Sequence, residues 1–283
     1  LTIKKQKTSP PPRNGIAVSP PPCGGELISV VLPSWNVGKY ITECLNSVCG
    51  QTYRNLEVIV VDDGSTDDTF AIADEIGKKD SRIKIIRQEN AGVSVARNTG
   101  LSAATGDLVH FVDPDDKLAN ADFYERIAAA IGDCDIAVVG FIDEKRSARP
   151  AVDYKKLKIY SGKQAKINAS GIARRPGILR FIYRRDFLLK NNLKFEPGRV
   201  TSQDVMFALP AVYYANKIVT VPGTFYWYRR NPNGAMRDSA RAAARKQNKE
   251  IIWDRAVRFA VQHGFFLGFR RGFWKWVKLK FFK

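Results

Sequence analysis

Three carboxylates within four residues, Asp113, Asp115 and Asp116, stand where an apolar run from Leu108 to Val112 stops. Acids this close repel one another unless a cation or a basic partner sits among them. Hard carboxylate oxygens select magnesium or manganese, and such ions keep some waters and take substrate phosphates as further ligands. One reading is therefore a metal–diphosphate site. The other is an acidic turn leading into a helix whose dipole favours Asp115 and Asp116 in its first turn. A second pair, Asp62 and Asp63, ends the apolar run Leu56 to Val61. Such carboxylates can accept hydrogen bonds from a base imide or a ribose hydroxyl, or they can simply make the turn that Asp-Gly-Ser favours. Trp35 offers a face for a base to stack on, or a ring to pack under a loop. Arg97 has two uses, pairing with Asp113 or approaching a phosphate. His110 sits inside the apolar run and reads as core, and neither it nor His263 is assigned to a metal.

Positioning these residues takes a sheet. Short apolar strands are predicted at Leu27 to Leu32, ended by Pro33, and at Leu56 to Val61, Ile83 to Ile86, Leu108 to Val112 and Ile136 to Phe141. Helices alternate with them: Gly38 to Val48, a helix through Phe70 and Ile76 capped by Thr66 or Asp67, Gly92 to Ala103, and Asp122 to Ile131. That alternation predicts an α/β fold with a Rossmann-like, mainly parallel sheet flanked by helices. Right-handed crossovers then bring the loops at 33–36, 62–65 and 113–116 to one sheet edge. After residue 145 the alternation fades. An apolar helix opens near Gln203 and runs to Tyr214, two strands are expected on either side of Pro222-Gly223, and helices from Asp238 onward. The domain expectation is a disordered Pro/Lys-rich arm over 1–26 and a catalytic body over 27–235, split into a nucleotide half (27–119) and an acceptor half (120–235). A helical extension over 236–283 follows.

Composition narrows the partners. A 283-residue chain with 45% hydrophobic residues can build a sizeable core, and a net charge of +18 seeks anions: nucleotides, nucleic acid or an acidic membrane surface. Cys23, Cys44, Cys49 and Cys134 form no paired zinc spacing, so reduced thiols in a cytoplasmic setting are expected. No apolar run is long enough to span a bilayer, and no signal-peptide core opens the chain. Neither a dinucleotide glycine fingerprint after the first strand nor a P-loop is present, which disfavours nicotinamide and P-loop chemistry. The end of the chain, 265–283, holds no acid; on a helix Phe266, Phe269, Phe273, Trp276 and Val277 share one face, with Arg271, Lys275 and Lys278 opposite. That pattern suits an interfacial helix on anionic lipid, or a helix docked on the protein's own core.

Four segments in order then resemble the family 2 glycosyltransferases of the GT-A fold. They are Val30-Val31-Leu32-Pro33-Ser34-Trp35-Asn36, Val60-Val61-Asp62-Asp63-Gly64-Ser65-Thr66-Asp67, Asn90-Ala91-Gly92-Val93-Ser94-Val95-Ala96-Arg97-Asn98 and Asp113-Pro114-Asp115-Asp116. The likeness covers about Leu27 to Asp116 and continues more weakly to about Arg230. It implies inverting transfer of a sugar from a nucleotide-diphosphate donor, UDP being the nucleotide many relatives use, with a divalent cation, Mn2+ or Mg2+, as cofactor. By position, the resemblance gives Pro33, Trp35, Asp62 and Asp63 to base and ribose, and Arg97 to the nucleotide's side. Asp113 would contact ribose or metal, Asp115 would ligate the metal, and Asp116 would lie near donor or metal. The segment Gln203-Asp204-Val205-Met206-Phe207 nominates Asp204 as the base, with Gln where the family commonly has Glu; an ordinary first-turn acid is the plainer alternative. Arg229 and Arg230, in a segment resembling the one that closes over the diphosphate, would clamp phosphate, with Asn231 to Gly234 as a mobile lid. The expected acceptor is a glycan or lipid-linked molecule of bacterial surface polysaccharide or lipopolysaccharide synthesis, met by an enzyme peripheral on the inner face of the cell membrane.

Two other classes compete. Asp113-Pro114-Asp115 superficially fits an aspartyl phosphatase, but that chemistry wants Thr or Val at position 116 and the acid after the first strand. A basic nucleic-acid- or membrane-binding protein without activity would suit the charge and the aromatic tail, yet acidic strand ends would repel a phosphate backbone, so no nucleic-acid partner is expected.

Overall fold

The two apolar runs nearest the start become β1 (Ile28–Ser34) and β2 (Leu56–Asp63), and every residue in both is buried. Runs with no polar alternation belong to strands covered on both faces, and these two pair in parallel, Ile28 opposite Leu56 through Ser34 opposite Asp62. The structure is a computed structural model describing residues 25–146, 150–172, 177–198, 203–231 and 242–267. Most of the N-terminal arm, residues 232–234 of the expected lid, and the basic-aromatic residues 268–283 lie outside the described residues.

Pro33 does not end β1, contrary to expectation. The Val31 carbonyl accepts from Val112 N–H, so Pro33, two residues on, turns its missing N–H to the same side, beyond the last register pair of Val31 with Phe111. No ladder bond is lost there, and the strand carries on to Ser34.

The remaining strands are β3 (Ile83–Gln88), β4 (Leu108–Phe111), β5 (Lys117–Leu118), β6 (Ile136–Asp143), β7 (Lys158–Tyr160), β8 (Phe181–Arg184) and β9 (Ile218–Tyr228). Helices are α1 (Gly38–Cys49), α2 (Thr69–Gly77), α3 (Val93–Ala103), α4 (Phe123–Ile131), α5 (Lys163–Ser170), α6 (Arg185–Lys190), α7 (Gln203–Tyr214) and α8 (Ala242–Gln262). One sheet runs β3-β2-β1-β4-β8-β6-β9-β5, with β7 on β9. The α/β class and the flanked central sheet are as expected, and the strands up to β4 are all parallel. Beyond β4 the sheet is mixed, because β8 is inserted antiparallel to both β4 and β6. The two strands expected around Pro222-Gly223 are a single strand, β9, which stays parallel to β6 across a register shift between Val138 and Gly140. Its irregularity accommodates Pro222 without breaking the pairing.

Local details hold the site end together. The Asp67 carboxylate accepts the N–H of Gly38 at 3.0 Å and of Thr69 at 3.0 Å, so one acid serves the first residues of both α1 and α2. Helix α3 lies close on β1: a Cβ added at Gly100 would come within 2.2 Å of Val31.

At the other end of the strands, Glu57 is 5% exposed and ties three elements together. Its Oε1 accepts from Ser29 Oγ (2.5 Å), Thr105 N–H (2.6 Å), Thr105 Oγ (2.9 Å) and Gly106 N–H (3.0 Å), and Lys84 Nζ lies 2.8 Å from Oε2. Burial alone would raise its pKa, but Lys84, Ser29 and Thr105 outweigh it and hold the carboxyl at about 2 against an ordinary 4.5. A depressed acid contributes its full stability above the ordinary value and loses it as pH falls through the folded one, here between about 4.5 and about 2. Glu57→Ala is expected to lower the unfolding free energy by about 3 kcal/mol at pH 7. Urea titrations at pH 7 and near pH 2 should show the gap to wild type closing in acid.

Candidate active site

The loops that follow β1 and β2 are stitched to each other. Asn36, in the left-handed region at φ 52°, donates its N–H to Ser65 Oγ at 3.1 Å and accepts from Thr66 N–H at 2.9 Å. Cys44 Sγ, on α1, reaches the Asp113 carbonyl at 3.8 Å. The loops at 33–36, 62–65 and 113–116 thus share one sheet edge, as right-handed crossovers require. Pro33 is buried in the strand, while Trp35 is 45% exposed and presents an open ring at that edge.

The two acids after β2 part company. Asp63 uses its carboxylate to hold the loop before α3, accepting from Gln88 Nε2 (2.7 Å), Ala91 N–H (2.9 Å) and Gly92 N–H (2.8 Å). Asp62 is 1% exposed, accepts only from Ser65 N–H at 3.4 Å, and has its Oδ2 3.2 Å from Arg87 Nε without the alignment of a hydrogen bond. Of the pair, Asp62 is the one with hydrogen-bonding capacity to spare, and Asp63 is a loop-shaping residue.

Asp113, Asp115 and Asp116 each offer an oxygen within 4.8 Å of the others, and they are the one such acid, His or Cys group among the described residues. Asp116 is buried, accepts from the Tyr226 hydroxyl at 2.7 Å and from Arg229 N–H at 2.7 Å, and so is anchored to β9. Burial first, then the charges of Asp115 and Asp113, push its carboxyl well above the usual range. Asp115 is raised by burial and by Asp113, and its Oδ2 accepts from Asn231 Nδ2 at 3.0 Å. The hydrogen bonds therefore do not fully offset burial and the crowding of negative charge. A divalent ion would, and the all-oxygen donor set fits a hard cation, with partly exposed Asp113 and Asp115 better placed to ligate than Asp116.

Arg97 makes the expected pairing with Asp113 and adds a second carboxylate to it. Its guanidinium bridges Asp113 Oδ1 (2.9 Å) and Asp204 Oδ1 (2.8 Å), with the side chain 4% exposed. Asp204 is thereby brought to the acidic cluster by an arginine 107 residues before it in the chain. It lies in the first turn of α7, as a plain helix acid would, but its carboxylate is turned to Arg97 and to the Ile178 N–H. Burial raises its pKa, Arg97 opposes this, and Asp113 adds to it, for a net upward shift.

The expected phosphate clamp is arranged differently. Arg229 donates from Nε to the Asp115 carbonyl at 2.7 Å and from Nη2 to Glu43 on α1, and Arg230 grips Asp143 with two bonds of 2.9 and 2.7 Å. Both guanidinium groups are turned to protein oxygens, and Arg229 serves to hold the acidic loop against α1. Tyr226 and Glu43 are organisers that sequence reasoning did not single out, and Asn231, expected at the start of a lid, bonds the Asp115 carboxylate. His110 is core as expected: its Nε2 donates to the Leu179 carbonyl at 3.0 Å, so Nδ1 accepts from Tyr124 hydroxyl, and burial lowers its pKa to about 4.

The tail differs from the expected helix over 265–283. Helix α8 stops at Gln262, Gly264 takes φ 69°, and residues 265–267 are non-helical and docked. Phe265 and Leu267 are buried, and Phe266 exchanges two hydrogen bonds with the Gln164 side chain.

Several buried polar atoms near this edge have no hydrogen-bond partner: Asp62 Oδ2, Ser94 Oγ, Arg97 Nε, Tyr183 hydroxyl and Gln203 Oε1. Such atoms are costly and call for an explanation, which a polar ligand would supply.

Comparison with known proteins agrees with the fold. The profile of glycosyl transferase family 2 matches residues 29–200. The chain is 33% identical over 225 residues to EpsJ, an uncharacterised glycosyltransferase of Bacillus subtilis, covering 73% of this chain and 62% of EpsJ. Staphylococcus aureus TarS, residues 1–349 in complex with UDP-GlcNAc, superposes with a TM-score of 0.69 at 26% identity, covering 84% of this chain and 66% of that one. The mannosyltransferase PcManGT of Pyrobaculum calidifontis, solved with GDP-Man and Mn2+, shares the fold with a TM-score of 0.62 at 20% identity, covering 87% of this chain and 68% of that one. The chain thus spans less than two thirds of the length of EpsJ and of the TarS fragment.

Manganese should raise the unfolding midpoint of the wild-type chain, by the equivalent of about 2.7 kcal/mol at a hundredfold excess over its dissociation constant. Asp115→Asn, whose carbonyl can keep the bond from Asn231, should be more stable than wild type without metal and gain nothing from it. Differential scanning calorimetry with manganese and with chelator checks both.

Proposed function

The chain belongs to glycosyl transferase family 2, and from that premise we propose that it transfers a sugar, with inversion, from a nucleotide-diphosphate donor to a hydroxyl of a glycan or lipid-linked acceptor. The observation that carries the reading is the bridge Asp113–Arg97–Asp204, which puts an acid-rich strand end and a second, separately supplied carboxylate on one guanidinium. Inverting transfer needs those two parts: a place for the departing diphosphate and a base on the far side of the sugar.

In this reading Trp35 stacks on the base and Asp62 takes a hydrogen bond from it or from the ribose, while Asp63 shapes the adjoining loop. Asp113 and Asp115 would hold a divalent cation, with Asp116 behind them. When bound, that ion supplies Lewis-acid neutralisation of charge on the departing nucleoside diphosphate. Asp204 takes the acceptor proton on its carboxylate. Its upward-shifted pKa moves it toward the operating pH, which makes it a better proton acceptor than an ordinary carboxylate. Arg229 and Arg230 hold the acidic loop and β9 in place; a move to phosphate on donor binding would first have to break their bonds to Glu43 and Asp143.

The preferred donor is a UDP-sugar, supported by the TarS likeness. Peripheral attachment at the cytoplasmic face of a bacterial membrane, in surface polysaccharide or lipopolysaccharide assembly, rests on the basic-aromatic composition of 268–283 and on no described helix being long and apolar enough to cross a bilayer. The division into a nucleotide half and an acceptor half belongs to the same proposal.

Calorimetric titration with UDP, GDP and dTDP, each with manganese and with chelator, should show metal-dependent binding of UDP; binding of none of the three would sink the reading. Asp204→Asn is expected to keep that affinity and lower kcat by about 10²–10⁴-fold. Since Asp204 must be ionised to work and its pKa is raised, wild-type kcat should fall with acid at a pH above the ordinary 3.8. Deleting 268–283, which leaves the docked residues in place, should release the protein from phosphatidylglycerol vesicles without altering UDP affinity; undiminished vesicle binding would place the contact elsewhere.

A further inference from the structure

We propose that Arg97 is a positioning residue that fixes the base Asp204 relative to the donor-side carboxylate Asp113, backed by a stack of Phe195 on Phe207. The proposal rests on the glycosyl-transfer reading and goes beyond it. In the resemblance Arg97 lies beside the nucleotide; in the structure it is committed to two carboxylates on different elements.

A guanidinium is planar, and its two terminal nitrogens sit at a fixed separation, so accepting oxygens on both sides are held at a fixed spacing as well. Arg97 meets Asp204 Oδ1 through Nη1 and Asp113 Oδ1 through Nη2, at 2.8 and 2.9 Å. With 4% of the side chain exposed, it has no room to leave for solvent. Beneath it lies the Phe195 ring, 5.3 Å from the guanidinium carbon. Phe195 is pinned by the residue after Arg97: Asn98 Nδ2 donates to the Phe195 carbonyl at 2.8 Å, and Phe195 N–H donates to Asn98 Oδ1 at 2.9 Å. The Phe195 ring is parallel to Phe207, with centroids 4.0 Å apart and planes within 1°. Phe207 stands three residues after Asp204 on α7, on the same side of the helix.

These contacts close a circuit: α3 carries Arg97 and Asn98, Asn98 holds Phe195, Phe195 backs Phe207, α7 carries Phe207 and Asp204, and Asp204 returns to Arg97. Asp204 is thus located by helix α7 from behind and by the guanidinium in front. Transfer is sensitive to this spacing, because a misplacement of about 1 Å in a reacting group can cost about 10²-fold in rate. A lysine at 97 would supply charge to one oxygen at a time and could not hold both.

The test compares the wild-type chain with Arg97→Lys, Phe195→Leu and Phe195→Tyr. It reads manganese-dependent UDP affinity by calorimetry, and turnover as UDP released from UDP-GlcNAc, UDP-glucose or UDP-galactose to water, which needs the base but no identified acceptor. Arg97→Lys and Phe195→Leu are expected to bind UDP within about threefold of wild type while kcat drops about thirtyfold or more, and Phe195→Tyr, which keeps the ring, should restore it. Phe207→Met, near in volume but without a ring to stack, should behave like Phe195→Leu and serves if that variant does not fold. Loss of UDP affinity in step with kcat in Arg97→Lys, with normal turnover in Phe195→Leu or Phe207→Met, would make Arg97 a nucleotide ligand and overturn the proposal. Unchanged kcat in Arg97→Lys would overturn it too. A wild-type chain that neither binds UDP nor releases it would overturn the glycosyl-transfer reading itself, and shows this before any variant is made.

Discussion

Negative charge crowded at the end of β4 is the constraint to which the rest of the site responds. Asp113, Asp115 and Asp116 lie within 4.8 Å of one another, partly or wholly out of water, where like charges repel far more strongly than at a surface. Each acid is given something to lean on from elsewhere in the chain: Arg97 of α3 for Asp113, and the segment at the end of β9 for the other two, Asn231 for Asp115 and Tyr226 with the Arg229 backbone for Asp116. Those partners are themselves tied down, Arg229 by Glu43 on α1 and Arg230 by Asp143 on β6. The loop is consequently braced by its own electrostatic problem. What the braces leave unpaid is visible in the raised pKa values of Asp115 and Asp116, and a bound divalent ion is the natural way to relieve it.

The same economy runs through the neighbouring turns. Asp63, Ser65, Thr66 and Asp67 follow one strand, and each oxygen is used: Asp63 for the loop before α3, Ser65 and Thr66 for Asn36, Asp67 for the starts of α1 and α2. Only Asp62 keeps an oxygen without a hydrogen bond. A row of turn-forming polar residues thus builds the rim and leaves one carboxylate with hydrogen-bonding capacity to spare.

The parallel half of the sheet was legible because its strands are short, mainly apolar runs that alternate with helical segments. Handedness then placed three loops together without any knowledge of side chains. What stayed hidden is whatever depends on partners remote in sequence. Asp204 reaches Arg97 across 107 residues and Arg229 reaches Glu43 across 186, and no periodicity encodes such pairs. Strand β8 was missed for a related reason: Phe181-Ile182-Tyr183-Arg184 is only four residues long, sits in a basic stretch, and is a strand because β4 and β6 accept it from either side. The arginines of the expected clamp face Glu43 and Asp143, carboxylates the sequence did not point to, since sequence shows a charge but not the group facing it.

That antiparallel insertion also explains how a carboxylate so far along the chain arrives at the first half's loops. Placing β8 beside β4 lays Tyr183 against Val109 and brings the Tyr183 ring under Phe207 of α7, so the helix that carries Asp204 is seated over the sheet next to the acidic strand end. The residue before it then matters through what it lacks. Gln203 is 8% exposed, and a glutamate there would put another negative group in a region that already holds Asp113 and Asp204 on a single guanidinium. As an amide it adds no charge beside Asp204. In the proposed transfer, proton abstraction would then fall to Asp204 alone, so the geometry that holds this one side chain would carry the demand for precision.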